Sequence, residues 1–224
     1  MEIFPAITNL TPSGWKDKIK EVKELKLKEV CLFPTLLELD ERKELYSLLE
    51  KTSVQRVPFV HIRSDMELWE LDFLVKKYQT EVFNTHSTRE YSFMNNLDKY
   101  RQSIYIENTK GYLDEEEIKG FGGICLDFSH LESNKRFHPD IYEKDLRLIE
   151  KYPIGCNHIS PIKEYALLEK GKSYGYKPHF FEKLSEFDYL KNYPKKYFSN
   201  FLALELENSI QDQLKAKEYI LGLI

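Results

Sequence analysis

The residues able to do chemistry in this chain collect at the ends of short apolar runs. His61 lies at the end of RVPFVHI (56–62), His86 ends TEVFNTH (80–86), Glu107 lies at the end of QSIYIEN (102–108), and Asp127 at the end of GGICLDF (122–128), with His130 three residues further on. His158 lies in IGCNHIS (154–160), and Glu205 and Glu207 end FLALELE (201–207). His179 follows in the longest connection, and His138, in RFHPD, stands apart as a surface residue. Carboxylates and imidazoles brought to one place repel one another unless a divalent cation sits between them. Carboxylate oxygens with one nitrogen suit Mn²⁺, Mg²⁺ or Co²⁺, and further imidazoles shift the preference towards Zn²⁺. No single spacing here is specific. The signal is that successive run ends agree.

Each of these residues also has a plainer reading. A Glu or Asp after a strand is equally the cap of the next helix, and a lone histidine in such a place is often structural. Side-chain alternation favours convergence, because residues two apart share a strand face. Cys125 then lies beneath Asp127, Cys156 beneath His158 and Ala203 beneath Glu205, small residues suited to a crowded interior. Tyr105 beneath Glu107 breaks that pattern. Glu205 and Glu207 have the same parity, so only one of them is expected to reach the centre.

The elements that must position these groups are eight apolar runs: IFPAIT (3–8), KEVCLFP (28–34), the five runs bearing His61, His86, Glu107, Asp127 and His158, and FLALELE. Charged stretches with apolar residues at helical spacing lie between them, from GWKDKIKEVKEL to SIQDQLKAKEYI, and Asp140 and Ser209 look like helix starts. Alternating strands and helices imply a parallel α/β sheet. Eight units, with no Gly-rich phosphate loop after the first, imply a compact (β/α)₈ TIM barrel rather than an open sheet. The 224 residues, 42% hydrophobic and 14% aromatic, are read as one domain, 1–224, with short loops. Three cysteines, each in an apolar stretch, read as reduced thiols of a cytoplasmic protein. No signal peptide or membrane span is expected. A net charge of -4 disfavours nucleic acid as a partner.

The set IYIEN at Glu107, ICLDFSH at Asp127 and His130, CNHIS at His158 and LALELE at Glu205 resembles the xylose-isomerase-like TIM barrel superfamily. That group includes sugar-phosphate isomerases and epimerases and the metal-dependent apurinic-site endonucleases. The resemblance implies one divalent metal held by Glu107, Asp127, His158 and Glu205. It also implies proton transfer by the two glutamates and contact of His130 with substrate or a second metal. In the endonuclease branch His61 and His86 correspond to extra ligands, and His179 to the histidine of an Asp-x-His pair. Lys177 stands here where that Asp belongs.

The leading expectation is therefore a metal-dependent isomerase or epimerase of a small sugar or related hydroxy-carbonyl compound, with Glu107 and Glu205 catalytic. His61, His86, His130 and His179 would contact a carbohydrate-like substrate. The cofactor would be Mn, Zn, Mg or Co, and the chain could self-associate. The alternative is a zinc-dependent phosphoesterase of the apurinic-site endonuclease type. A third is a barrel that keeps the metal without catalysis, or a lyase. A tight four-ligand site would favour the isomerase, and a wide ring including His61, His86 and His179 the hydrolase.

Overall fold

A computed structural model describes residues 1–9, 14–109, 111, 113–163 and 179–224. The first apolar run forms two strands, β1 (Glu2–Phe4) and β2 (Ala6–Thr8), parted at Pro5. Proline has no N–H to give to a ladder, so the run breaks there, while its carbonyl still accepts from Cys31 at 2.9 Å. The other seven runs each hold one strand: β3 (Cys31–Phe33), β4 (Phe59–His61), β5 (Val82–Thr85), β6 (Ile104–Glu107), β7 (Gly123–Asp127), β8 (Ile154–Ile159) and β9 (Phe201–Leu204).

All pairings are parallel, in the order β1-β9-β8-β7-β6-β5-β4-β3-β2. The two ends of that order are consecutive pieces of one extended segment. The sheet therefore curls round into a nearly closed barrel, as expected for the α/β TIM-barrel class, with nine strands among the described residues where the sequence shows eight runs.

Inside the barrel Phe4, Phe33, Phe59 and Val82 pack with the three cysteines and two small residues, Ala6 and Ala203. The outward faces, such as Leu32, Val60, Ile124 and Leu126, pack under the helices. In α1 (Gly14–Glu24), Trp15, Lys18, Ile19 and Val22 are buried at helical spacing. The helices α2 (Leu39–Leu49) and α3 (Leu68–Tyr78) each open on a capping box, Glu38 with Glu41 and Glu67 with Glu70. The remaining helices are α4 (Glu115–Lys119), α5 (Phe128–Phe137), α6 (Pro139–Ile149) and α7 (Ile210–Leu221). Ser209 caps α7 as expected. The helix expected to start at Asp140 starts one residue earlier, at Pro139, whose missing N–H suits a first turn.

Two expected helices differ. TREYSFMNNLDKY yields only a 3₁₀ segment, Asp98–Ser103, none of whose residues is buried, and SEFDYLKNY lies in a 3₁₀ segment, Leu184–Asn192. Helix α5 is additional, so two helices join β7 to β8. Among the described residues no helix is long and apolar enough to cross a membrane.

Candidate metal centre

Register sets the site. His61 pairs with Asn84, Glu107 with Cys125, and Asp127 with His158 across neighbouring strands. Between β7 and β8 the pairing passes from Ile124↔Ile154 to Cys125↔Cys156. Gly155 is thus one extra residue in β8, a bulge that brings His158 level with Asp127. A side chain at Gly155 could not fit: a Cβ there would meet the Tyr105 ring at 2.1 Å. At the start of β7, Gly123 adopts φ +134°, and its Cβ would meet the Pro153 carbonyl oxygen at 2.3 Å.

Glu107 is the hub. Its Oε2 lies 3.2 Å from His61 Nε2, 3.3 Å from His158 Nδ1 and 3.8 Å from His86 Nε2, and it accepts from Asn84 Nδ2 at 2.9 Å. His158 Nδ1 is also 3.8 Å from Glu205 Oε2, which lies 3.4 Å from His179 Nδ1. His130 Nε2 is 3.8 Å from Asp127 Oδ2. Among the described residues, four overlapping groups have ligand atoms within 4.8 Å of one another: His61/His86/Glu107, Glu107/Cys125/His158, Glu107/Asp127/His130 and Asp127/His158/Glu205. The catalytic, substrate-binding and metal positions named from sequence are therefore brought together. His138 stays apart, at the cap position of α6.

Asp127 combines both readings. Its Oδ1 caps α5, accepting from Ser129 N, Ser129 Oγ and His130 N at 2.7, 2.6 and 3.0 Å. Its Oδ2 is the oxygen turned towards His130. Asn108 clamps the Asp127 backbone, accepting from its N–H at 2.7 Å and donating to its carbonyl at 3.0 Å. The choice between the strand-end glutamates also resolves. Glu207 accepts from Thr8 Oγ1 at 2.7 Å and lies 3.7 Å from buried Lys18 Nζ, whereas Glu205 faces the histidines.

A cavity of about 480 Å³ opens above the hub. His61, His86, Glu107, His130, His179 and Glu205 line it, with Thr35, Leu36, Arg63 and Tyr91 at its walls. His158 and Asp127 lie fully buried beneath. Phe33 and Phe59 pack against the His158 ring at centroid distances of 4.9 and 5.3 Å. Sequence reasoning missed Asn84, Asn108, Arg63 and Tyr91. Asn84 had a signal, since it shares a strand face with His86.

Burial pushes the His61 imidazole below its ordinary value, even against Glu107, and so favours the neutral ring that binds metals. Burial pushes Glu107 up, but His158 and His61 outweigh it and hold the carboxyl well below the usual range. Burial opposes charge on His158, and the Cys125 sulfur and Glu107 overcome it. These donors fit a divalent cation on their own chemistry: ionised carboxylate, neutral imidazole, and a fully buried His158 neither of whose ring nitrogens makes a hydrogen bond.

No family model matches the chain, and no curated protein matches it. Among solved structures the chain is similar to N-acetylneuraminate lyase from Mycoplasma synoviae, with 14% identity and a TM-score of 0.44, over 99% of this chain and 77% of that one. That structure is named as a lyase, and the expectation of a sugar isomerase or epimerase is corrected. The chain's own geometry also departs from that expectation. Glu107 is held by two imidazoles and an amide rather than poised as a free base, and the donors form a wide ring that includes His61, His86 and His179.

Proposed function

We propose that the barrel mouth is a divalent-metal centre and that the chain is a metal-dependent hydrolase. The observation that supports this reading is the spread of the donors. His61, His86 and Glu107 form one group, Asp127, His158 and Glu205 another, and the Glu107/Asp127/His130 group overlaps both. That is more ligand than one ion needs, and these residues would hold two ions in one shared centre. The finer kinship with xylose-isomerase-like barrels belongs to the same proposal, through the strand-end donors alone.

Bound cations supply Lewis acidity and bring the pKa of a water close to neutrality. The chain's own groups do the rest. Asn84 and His61 fix the Glu107 carboxylate, and Asn108 and the α5 cap fix Asp127. Solvent-facing His86, with 40% of its side chain exposed, reaches the cavity as an outer ligand, and His130 also reaches it, where it can hold or pass a proton at a substrate oxygen.

Elemental analysis of the purified chain, with and without His86→Ala, tests the centre. More than one ion per chain is expected, falling by one in the variant. Release from chromogenic carboxylic and phosphoric esters should be sensitive to chelator. A single ion unaffected by His86→Ala would refute the shared centre.

A further inference from the structure

We propose that Cys125 is a metal ligand, so that a soft divalent cation sits on the floor of the barrel between Glu107, Cys125 and His158. The proposal rests on reading the barrel mouth as a metal centre, and adds a sulfur donor beneath its oxygens and nitrogens.

The ligand atoms of these three residues lie within 4.8 Å of one another, and all three residues are buried. Glu107 Oε2 and His158 Nδ1 are 3.3 Å apart, which matches the roughly 3.3–3.8 Å separating two donors on one tetrahedral Zn²⁺. His158 supplies an independent observation. It is 0% exposed, and neither of its ring nitrogens makes a hydrogen bond. Buried imidazole nitrogens left in that state carry an uncompensated desolvation cost, which a ligand bond removes. The ring cannot turn away to find another partner, because Phe33 and Phe59 pack on it.

The thiol beside it is also fully buried, one layer below Asp127 on the same strand. The Gly155 bulge aligns Cys125 with Cys156 and Asp127 with His158, so the register that builds the upper site also brings this sulfur to the imidazole. On binding, the S–H proton leaves to solvent and the sulfur lone pair forms the metal bond. Any proton on the His158 nitrogen that binds the ion leaves to solvent likewise, and no oxidant or reductant is needed. A thiolate donor shifts preference from Mg²⁺ and Mn²⁺ towards Zn²⁺, Cd²⁺ and Co²⁺.

The full chain, stripped with chelator, is titrated with Co²⁺ and with Cd²⁺ while absorbance is recorded. A sulfur-to-metal charge-transfer band in the near ultraviolet is expected with both ions. It should be lost in Cys125→Ser and in Cys125→Ala, and kept in Cys156→Ser. Circular dichroism of each variant checks the fold, and the alanine form serves if the serine form does not fold. Binding of either ion to the wild type with no such band would overturn the sulfur ligand and leave the metal centre standing. A band that survives in both Cys125 variants would also overturn it, by assigning the sulfur elsewhere. Absence of any binding would overturn both readings together.

Discussion

Gly155→Ala tests the register on which the site depends. In a regular strand, exchanging Gly for Ala stabilises by about 0.4–1 kcal/mol, because the unfolded chain loses freedom. Here the new Cβ would lie 2.1 Å from both Cε1 and Cζ of Tyr105 and 2.5 Å from Cδ1. Ordinary contact begins near 3.4 Å, so the ring must retreat by roughly 1.3 Å. Tyr105 stands one pleat below Glu107 on β6, and its strand is paired on both sides. Overpacking of this kind costs about 1–3 kcal/mol, which exceeds the entropic gain. For a chain of this size that lowers Tm by about 2–12 °C. The assay is thermal unfolding of the wild type, Gly155→Ala, Tyr105→Leu and the double variant. The double variant should recover stability relative to the sum of the singles, with a coupling of about 1 kcal/mol or more. Metal affinity should fall in Gly155→Ala, since His158 lies three residues along the same strand. An alanine variant as stable as the wild type, or a cost that Tyr105→Leu leaves unchanged, would refute the bulge argument.

Two further predictions concern buried charge. Arg42 donates to both oxygens of Glu70, at 2.8 and 2.9 Å, and both side chains are 0% exposed. Arg42→Met, which strands a buried carboxylate, should cost about 3–5 kcal/mol in urea unfolding, and Arg42→Met/Glu70→Met should recover most of it; equal losses in both would contradict this. Asp145 is fully buried, accepts from Leu113 N at 2.9 Å, and is pushed up by burial from 3.8 to about 6. A raised folded-state value means its stability contribution is complete below about pH 3.8 and is lost as pH rises through about 6. Asp145→Asn cannot ionise, so the variant should gain on the wild type by about 1–3 kcal/mol between pH 4 and 7; a stability difference that stays constant over that range would count against the assignment.

The barrel was legible because strand and helix patterns alternate with little interruption, and because strand-end residues of one parity converge at one mouth. The exceptions have physical causes. Pro5 splits a run that composition alone reads as continuous. DFSH was read for chemistry, and the same Asp127 that joins the site also caps α5, a double use that only the two oxygens' separate partners reveal. TREYSFMNNLDKY packs through Phe93, Leu97 and Tyr100, yet only Leu97 of these is fully buried, too little to hold a whole helix against the core. The choice between Glu205 and Glu207 could not follow from parity, which they share. It depends on Lys18, which reaches in from α1 to claim Glu207. The place of Cys125 depends on the Gly155 bulge, a property of two strands paired together.

Elsewhere in this chain the treatment of buried carboxylates differs from that at the hub. Glu70 has a bidentate guanidinium from Arg42, and Glu132, 4% exposed, takes Arg136 at 2.7 Å. Such partners carry a permanent charge, and tyrosine hydroxyls complete both sites, Tyr46 on Glu70 and Tyr193 on Glu132. Glu107 is also 4% exposed, yet its partners are the imidazoles of His61, His86 and His158 and the amide of Asn84. Imidazole is a conditional cation, and burial at His61 works against its charge. Arginine neutralises Glu70 and Glu132, while buried Glu117 takes the hydroxyls of Ser87 and Thr88; among these glutamates only Glu107 is surrounded by imidazoles. Each imidazole can give up the proton it shares with Glu107 and offer a nitrogen lone pair to a cation, which a guanidinium cannot do. The choice of histidine over arginine around Glu107 is thus the feature of the chain's own chemistry that supports the proposed metal centre.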